Sequence, residues 1–509
     1  MFNIRRIFIF CFIVVFSQFL LLDGHSRAAT NEETHGLSPL GSSAPGSELQ
    51  DRVSHLLKSA PVPVRTLGLW IGTTQPNQTI FSLNANQLFV PASLSKIITA
   101  GAALEEMDPG YKFKTQILSS APLINGTLKG SIFLRGGGDP SFVSENMWVL
   151  VNALTRTGVH TIEGDVNVDD SLFDSVRFSK NRQKERVDRA YDAPVGAMSM
   201  NWNSVSIYIR AGAKVGDKLN IFADIQSPYI RIINNTKTVS KGKGQRVSVE
   251  RESLKGFFGD VFEVTGSMAA DHNELVVYKS VTQPDLWTGY NLVEFLRQRG
   301  IQVKGHVETG KAPASAIVLA ESESKPLSSV VADMAKWSNN YVAEMLVKNL
   351  SVIGGVVPGT MDAGVQRVHA HFEKHGFAKG SYEFSNPAGF TRENKLSPEQ
   401  IGRYLGEMQK NFSLFPEFLS ALPIAGVDGT LRNRMASPPV KQWVRAKTGL
   451  LNGVVGLAGF AGQGNGEILT FCFLYNGSGK ENDVRNFFDS LAKEIVSTSI
   501  STSAKNGGL

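Results

Sequence analysis

Cysteine is scarce in this sequence. Its 509 residues include two cysteines, Cys11 and Cys472, and no Cys-x-x-Cys pair. Cys11 lies in an apolar N-terminal run, and Cys472 lies in the strand-like run from Ile468 to Tyr475, where we expect a buried side chain. This count excludes a disulfide framework and a thiolate zinc site. The fold must therefore depend on a hydrophobic core, and 42% hydrophobic residues are ample for one.

Histidines are also few. Of the nine, His371 and His375 have the spacing of two metal ligands on one helix, and His369 is the only further candidate nearby. The pair ends a predicted helix just before Gly376, where imidazoles interact favourably with the negative end of the helix dipole. We therefore expect a helix-end pair of imidazoles and no metal site.

The N-terminus has the pattern of a signal peptide. Arg5 and Arg6 precede an apolar run from Ile7 to Leu22, and Ser26-Arg27-Ala28 offers a small-x-small cleavage site. The alternative is a retained membrane anchor, but sixteen residues are short for a span. The sequence thus predicts a cleaved signal peptide over 1–28 and a periplasmic or other extracytoplasmic location.

Changes in the secondary-structure pattern along the rest of the chain predict an inserted region. Helical periodicity precedes and follows a long stretch of short strand-like runs separated by turn residues. The predicted division is a flexible leader (29–48), a first part of the main domain (49–110), a mainly β insertion of one or two subdomains (111–319), a second part (320–497) and a disordered tail (498–509).

The first chemical motif is Ser93-Leu94-Ser95-Lys96 at the predicted start of a helix. Residues three apart share a helix face, so the Ser93 hydroxyl and the Lys96 amine can touch. Serine becomes nucleophilic when a base removes its proton, and a lysine becomes such a base when burial and a helix dipole lower its pKa. On its own the motif is far more typical of an N-cap serine beside a solvated lysine.

Two further clusters follow in the chain. Ser338-Asn339-Asn340 lies at a break between two predicted helices, where a hydroxyl could pass a proton to a leaving amine and an amide could hold a substrate. Lys447-Thr448-Gly449 ends a predicted strand, whose edge could pair with an extended peptide beside a fixed positive charge. Each cluster alone is more typical of a helix cap or a strand end.

The order Ser-x-x-Lys, Ser-x-Asn, Lys-Thr-Gly is typical of penicillin-binding proteins and class A β-lactamases. Over about residues 50–497 the chain resembles the penicillin-binding proteins of the D-alanyl-D-alanine carboxypeptidase/endopeptidase type, peptidase family S13. Ser338 follows Ser93 by 245 residues, which suits an inserted domain and is too long for a plain β-lactamase. Further family-like stretches are Arg135–Pro140, Tyr191–Ala197, Leu422–Leu431 and Gly453–Phe460.

This resemblance implies an α+β fold: a transpeptidase-like domain with a five-stranded antiparallel sheet between helices. It implies that Ser93 attacks a D-Ala-D-Ala amide, that Lys96 takes its proton and that Ser338 and Lys447 assist protonation of the leaving group. Asn340 and Thr448 would orient the peptide, and the backbone N–H groups of Ser93 and Leu450 would bind the oxyanion. Peptidoglycan stem peptides are the implied substrates and β-lactams covalent inhibitors. No cofactor or metal is implied.

Three positions depart from the family pattern. Leu450 follows Lys-Thr-Gly where relatives commonly have a hydroxyl that could bind the terminal carboxylate, which weakens the case for efficient carboxypeptidase action. Asn339 replaces a common aspartate, and Arg392 is retained in an altered stretch as a candidate substrate contact. Asp188 is a candidate for reading a stem-peptide amine, although Arg186 and Arg189 flank it.

Alternative functions remain on the same scaffold. A catalytically impaired peptidoglycan-binding relative and a β-lactamase or esterase are both compatible with the fold. The formal charge of +6 and the basic runs at 180–189 and 237–251 are typical of solvated loops, with weak attraction to the wall or the membrane surface as the other interpretation. Nothing in the sequence indicates a nucleic-acid partner.

Overall fold

The computed structural model describes residues 46–74, 78–180, 190 and 193–500. The predicted signal peptide and leader, Asp188 and most of the predicted tail lie outside these residues. The helices of the described part are α1 (Ser47–Leu57), α2 (Ser95–Met107), α3 (Ser144–Thr155), α4 (Pro284–Gln298), α5 (Leu327–Trp337), α6 (Asn340–Ile353), α7 (Met361–Lys374), α8 (Pro398–Lys410), α9 (Phe415–Ala421) and α10 (Glu481–Ser497).

Strands occupy both ends of the chain and the region between. They are β1 (Leu67–Thr73), β2 (Thr79–Leu83), β3 (Lys114–Ser119), β4 (Leu123–Ile124), β5 (Thr127–Leu128), β6 (Ile132–Arg135), β7 (Thr161–Ile162), β8 (Val166–Asp169), β9 (Ser204–Arg210), β10 (Asn220–Ala223), β11 (Ile230–Val239), β12 (Gln245–Glu252), β13 (Asp260–Ala269), β14 (Leu275–Ser280), β15 (Gln302–Val303), β16 (Val307–Thr309), β17 (Ile317–Glu323), β18 (Val444–Leu451), β19 (Val454–Gly462) and β20 (Ile468–Asn476).

The central sheet joins the two ends of the chain. Its order is β18-β19-β20-β1-β2, and every neighbouring pair is antiparallel. β19 is buried along nearly its whole length, as expected for a strand covered on both faces, whereas β18 forms one edge of the sheet. The five-stranded antiparallel sheet implied by the resemblance is confirmed.

Helices cover both faces of this sheet. On one face α1 and α10 pack against the sheet, and Phe488 of α10 shares a buried cluster with Leu69 and Phe473 of the strands. On the other face α8 lies so close to β1 that a Cβ on Gly402 would overlap the Trp70 ring. The start of α8 is fixed by a capping box, because Ser397 Oγ accepts from the Gln400 backbone N–H at 3.1 Å.

Helix α2 is the centre of the helical half. Eleven of its thirteen residues are buried, and it packs against α5, α6 and α7. Gly101 allows α8 to approach, because a Cβ there would overlap the Tyr404 hydroxyl. A helix that is buried on nearly every face belongs in a core. Helix α2 is therefore a rigid support for the side chains of its first turn.

Residues 111–319 form small sheets with α3 and α4 beside them. β3 pairs with β17, which closes the region at its two chain ends. Two separate clusters of buried side chains occur here, one around Leu150 and Val168 and the other around Ile207 and Phe262. The division of this region into subdomains stays a prediction. Across the described part of the chain, no helix combines the length and the apolar character that crossing a bilayer requires.

Candidate active site

Ser93 stands in a single 3₁₀ turn, Ala92–Leu94, that leads directly into α2. Ala92 has φ 50°, a left-handed conformation that costs a non-glycine residue about 1 kcal/mol or more. Two glycines permit the close packing that holds this turn. A Cβ on Gly389 would overlap the Ala92 carbonyl, and a Cβ on Gly449 would lie 2.8 Å from the Pro91 carbonyl oxygen. The turn therefore presents Ser93 with little freedom.

The Lys96 amino group is fully buried, and its partners include three oxygens. Its Nζ lies 3.1 Å from Ser93 Oγ, 2.7 Å from Asn340 Oδ1 and 2.6 Å from the Ala388 carbonyl oxygen. The contact predicted from the Ser-x-x-Lys spacing is present. A neutral amine has two N–H donors and one lone pair. In that form, with the two carbonyl oxygens accepting the N–H groups, the lone pair would face the serine hydroxyl.

The Ala388 carbonyl is held in place by a buried asparagine network. Asn386 Oδ1 accepts from the backbone N–H groups of Ala388 and Gly389 at 3.1 and 2.7 Å. Asn394, fully buried, donates to Ser95 Oγ at 2.8 Å and to the Asn386 carbonyl at 2.7 Å. The loop 386–394 is thereby tied to the first turn of α2. Sequence reasoning noted this stretch through Arg392 but missed the roles of Asn386, Ala388 and Asn394.

Ser338 and Asn340 lie at the junction of α5 and α6. Ser338 ends α5 in a left-handed conformation with φ 56° and ψ 35°, and Asn339 caps α6 by accepting from the Val342 N–H at 3.2 Å. This sharp break leaves Asn340 buried as the first residue of α6, where its side chain reaches Lys96. Asn339 is thus a structural cap, which explains why an aspartate is not required at this position.

Lys447 comes from the edge strand β18 and contacts Ser338. Its Nζ lies 2.8 Å from Ser338 Oγ and 2.9 Å from the Thr448 carbonyl oxygen. Complete burial lowers the pKa of Lys447 to about 7, because the charged form loses its hydration. Thr448 Oγ1 pairs with Thr430 Oγ1 at 2.9 Å, a partner that the motif does not reveal.

The segment that carries Thr430 is anchored to α5. Lys336 Nζ lies 2.5 Å from Asp428 Oδ2, and Asp428 Oδ1 accepts from the Ile424 N–H at 2.9 Å. Gly429, with φ 53°, passes so close to the Lys336 carbonyl that a Cβ would lie 2.6 Å from it. The stretch Leu422–Leu431 noted in the sequence therefore supports the Lys447-Thr448 end of the site.

The other predicted substrate contacts are less closely gathered. Arg392 donates to the Asn452 carbonyl and so links loop 386–394 to the turn between β18 and β19. Leu450 has a half-exposed side chain at the open edge of β18. Gly449 packs on the turn that bears Ser93, whereas Asp188 lies outside the described residues.

Two hydroxyl–amine pairs are therefore built side by side. Ser93 with Lys96 comes from α2, Ser338 with Lys447 comes from the α5–α6 junction and β18, and Asn340 stands two residues from Ser338. A serine beside a buried amine, next to a second cation and an open strand edge, can perform acyl transfer on a peptide carbonyl.

Comparison with known proteins assigns a family to this geometry. The family model of the D-Ala-D-Ala carboxypeptidase 3 (S13) family matches residues 49–495. A D-alanyl-D-alanine carboxypeptidase from an Actinomadura species is 29% identical over 461 residues, covering 87% of this chain and 84% of the relative. The D-alanyl-D-alanine carboxypeptidase DacB of Haemophilus influenzae is 27% identical over 403 residues, covering 79% of this chain and 83% of the relative.

Solved structures agree with this assignment. The crystal structure of penicillin binding protein 4 from Haemophilus influenzae superposes with a TM-score of 0.73 at 25% identity, covering 87% of this chain and 99% of that one. The same protein in complex with a β-lactam superposes with a TM-score of 0.69.

Proposed function

This chain belongs to the D-Ala-D-Ala carboxypeptidase 3 (S13) family of penicillin-binding serine hydrolases that act on peptidoglycan, and we propose that Ser93 is its nucleophile. Its substrates in this proposal are the D-Ala-D-Ala ends or cross-links of peptidoglycan stem peptides. The observation that carries the proposal is the arrangement around Lys96 Nζ, whose partners include two carbonyl oxygens and the Ser93 hydroxyl.

In the acylation step Ser93 Oγ attacks the carbonyl carbon of the penultimate D-Ala. Lys96, as the neutral amine, takes the hydroxyl proton while Asn340 and Ala388 hold its two remaining N–H groups. The negative charge that develops on the substrate oxygen is stabilised by the backbone N–H groups of Ser93 and Leu450. Asn340 thus acts first of all as a positioning residue for the base.

The leaving amine then needs a proton. Ser338 Oγ lies 2.8 Å from Lys447 Nζ, so a proton given up by the hydroxyl is replaced from the lysine. When the C–N bond breaks, the leaving D-amino acid departs with this proton and Ser93 remains as an ester. Lys96 then gives up the proton that it took from Ser93, and Lys447 regains the proton that went to the leaving amine. Water attacks the ester with Lys96, again a neutral amine, as the base, and the proton from water returns to Ser93 Oγ as the acid departs.

Substrate recognition is assigned to β18 and its surroundings. The open edge of this strand offers backbone pairing to an extended peptide, and Lys447 offers positive charge to its terminal carboxylate. Thr448, Gly449 and Leu450 line this edge in the proposal. Arg392 belongs to the same border through its bond to Asn452, and Asp188 is kept as the candidate partner of a stem-peptide amine.

Export is part of the proposal because the substrate lies outside the cytoplasm. Arg5, Arg6 and the apolar run from Ile7 to Leu22 support a cleaved signal peptide and a periplasmic or extracytoplasmic enzyme. Peripheral association with the wall or membrane rests on the basic runs at 180–189 and 237–251 alone. The expectation of a loop for the second run is wrong, because it spans the end of β11 and most of β12.

Fluorescent penicillin tests the nucleophile directly. We expect covalent labelling of the purified protein on the tryptic peptide that bears Ser93. Ser93→Ala is expected to lower labelling by ~10³-fold or more, because the ester oxygen is lost. Ser59→Ala, which removes an exposed hydroxyl bonded only to the Leu56 carbonyl, is the matched control and should label normally. Labelling that persists in the Ser93 variant would refute the assignment.

The lifetime of the adduct separates this enzyme from a β-lactamase or esterase on the same scaffold. We expect an ester that lasts for many minutes after free penicillin is removed, whereas rapid loss of label with penicillin hydrolysis would favour the β-lactamase. Digestion of cross-linked muropeptides then distinguishes the peptidase modes: loss of dimers indicates endopeptidase action, and release of D-Ala from pentapeptides alone indicates carboxypeptidase action.

A further inference from the structure

A cluster of potential metal ligands lies at the far end of α2, away from Ser93. Glu105 Oε2 lies 2.7 Å from His371 Nδ1 and 2.9 Å from His375 Nε2, both carried by the C-terminal end of α7. The three ligand atoms lie within 4.8 Å of one another. His369, the third candidate in the sequence, is not part of it, because its Nδ1 lies 3.0 Å from Tyr382 Oη.

The His371–Glu105 contact is short and poorly aligned for an ordinary hydrogen bond. The His371 side chain is 1% exposed, and its Nδ1 has no partner that meets hydrogen-bond geometry although a carboxylate oxygen is 2.7 Å away. Its other nitrogen, Nε2, lies 2.7 Å from Tyr404 Oη. If Nε2 donates its proton to Tyr404, the Nδ1 lone pair faces the carboxylate. In that tautomer a bound metal ion relieves the repulsion between the two lone pairs, whereas in the other tautomer Tyr404 donates to Nε2 and the Nδ1 proton faces the carboxylate.

We propose that Glu105, His371 and His375 bind a zinc-type divalent cation. Two imidazole nitrogens and one carboxylate oxygen are the donor set that Zn²⁺ accepts in three-ligand sites, with water in the fourth position. His375 and Glu105 are 15% and 16% exposed, so the cluster opens to solvent on one side. Bonds of about 2.0–2.1 Å require wider ligand separations than 2.7 Å, so the Glu105 carboxylate shifts by a fraction of an ångström on binding.

The surrounding groups suit this role. Tyr404 orients the His371 ring through Nε2, as outer-shell partners of metal-bound histidines do. Lys374 pairs with the other carboxylate oxygen, Glu105 Oε1, which leaves Oε2 for the metal. The Lys374 side chain is 68% exposed, so its charge can move away from a bound cation.

The site would clamp α2 to α7 and take no part in the chemistry. Glu105 follows Lys96 by nine residues on one helix, a rise of about 14 Å. A cation there would hold the C-terminal end of the helix that carries Ser93 at its start. Occupancy should therefore raise thermal stability and leave the rate of penicillin acylation unchanged.

Metal binding to the purified full chain, stripped by a chelator and dialysed, tests the proposal. We expect one Zn²⁺ per chain with a dissociation constant below about 10 μM, a rise in melting temperature on adding Zn²⁺, and a visible Co²⁺ spectrum of the intense four-coordinate type. His375→Gln and Glu105→Gln should each weaken Zn²⁺ binding by about 100-fold. Lys374→Met should tighten it several-fold, because a competing positive charge is removed.

His369→Gln and His272→Gln are the matched controls. The first changes a histidine on the same helix that faces Tyr382, the second changes an exposed histidine, and both should bind Zn²⁺ as the parent does. Retained penicillin labelling establishes that each variant is folded. Absence of stoichiometric Zn²⁺ binding in the parent would overturn the proposal. So would a Zn²⁺ affinity of His375→Gln and Glu105→Gln equal to that of the parent. Either result would leave a metal-free ion-pair cluster.

Discussion

At the scale of single residues, the titration of Lys447 decides the pH range in which the site works. Burial lowers its pKa to about 7, so in the free protein the positive charge is present below pH 7 and is lost as pH rises through that value. The proposed mechanism needs this charge to hold the substrate carboxylate. We therefore expect the second-order rate constant of penicillin acylation to fall about tenfold per pH unit above a midpoint near 7.

Lys447→Arg distinguishes this cause from others. A guanidinium stays protonated, so the variant should be slower overall but should lack the alkaline limb below pH 9. Lys58→Arg, at an exposed lysine, should retain the limb of the parent. A parent rate that continues to rise to pH 9 would remove Lys447 from its proposed role.

Leu450 carries a second prediction at this scale. Its half-exposed side chain occupies the position where relatives commonly have a hydroxyl. Leu450→Thr should add a hydrogen bond to the terminal carboxylate, worth ~1.5 kcal/mol or about tenfold in kcat/KM for D-Ala release from a pentapeptide. Measuring kcat/KM for D-Ala release from the pentapeptide beside the hydrolysis of cross-linked dimers checks this prediction. Leu450→Val, which has no hydroxyl, should give no gain. Equal rates for the Thr and Val variants would contradict the carboxylate contact.

Some site residues could be predicted from the sequence and others could not. The Ser93–Lys96 contact follows from helical spacing, and Ser338, Asn340 and Lys447 were recognised by motif order. The Ala388 carbonyl could not be found this way, because every residue has a carbonyl and only the fold decides which one faces Lys96. Glu105 was likewise missed, because its partner His371 lies 266 residues further along the chain.

At the scale of elements, loop 386–394 is as important to the site as α2. It supplies one of the two carbonyl oxygens on Lys96, and Gly389 lets it lie directly against the Ala92 carbonyl. Because that packing holds the turn bearing Ser93, we expect a change in the loop to alter the position of this proposed nucleophile without touching it.

Gly389→Ala tests this dependence. Its Cβ would overlap the Ala92 carbonyl, and its φ of 67° disfavours any side chain, so we expect a loss of stability of about 3 kcal/mol and acylation slowed by tenfold or more. Gly380→Ala is the matched control, with φ 84° and open space around the added atom. It should lose only about 1 kcal/mol and acylate normally. Chemical denaturation and penicillin labelling report the two effects, and identical behaviour of the variants would contradict the contact.

Most element bounds were predictable where a regular spacing of apolar residues ended at capping or turn residues. The helical pattern over 327–337 and the strand-like run over 79–83 predict α5 and β2 with the bounds that the structure shows. The strand-like run over 161–169 predicts one strand, which is wrong, because the structure divides it into β7 and β8. The first turn of the Ser93 helix is 3₁₀, because Ala92 is held in a left-handed conformation by tertiary packing that no local pattern encodes.

At the scale of the whole molecule, the one described thiol is sealed in the sheet. Cys472 is fully buried in β20, and burial raises the pKa of its thiol well above its usual value. We expect the exported protein to be unreactive toward a thiol reagent when native and to show one thiol per chain in denaturant. Two thiols would mean that Cys11 is retained and the signal peptide uncut, and intact mass provides the check.

The pairing of β1 with β20 brings the beginning and the end of the described chain into one sheet, and the proposed site depends on this closure. Ser93 and Lys96 are made early, Lys447 is made 354 positions after Ser93, and β19 and β20 must follow before β18 has its neighbours. A ribosome delivers the chain in that order. A nascent or prematurely terminated chain therefore has Ser93 without the rest of the proposed pocket. Covalent labelling by penicillin thus reports that synthesis has continued through β20.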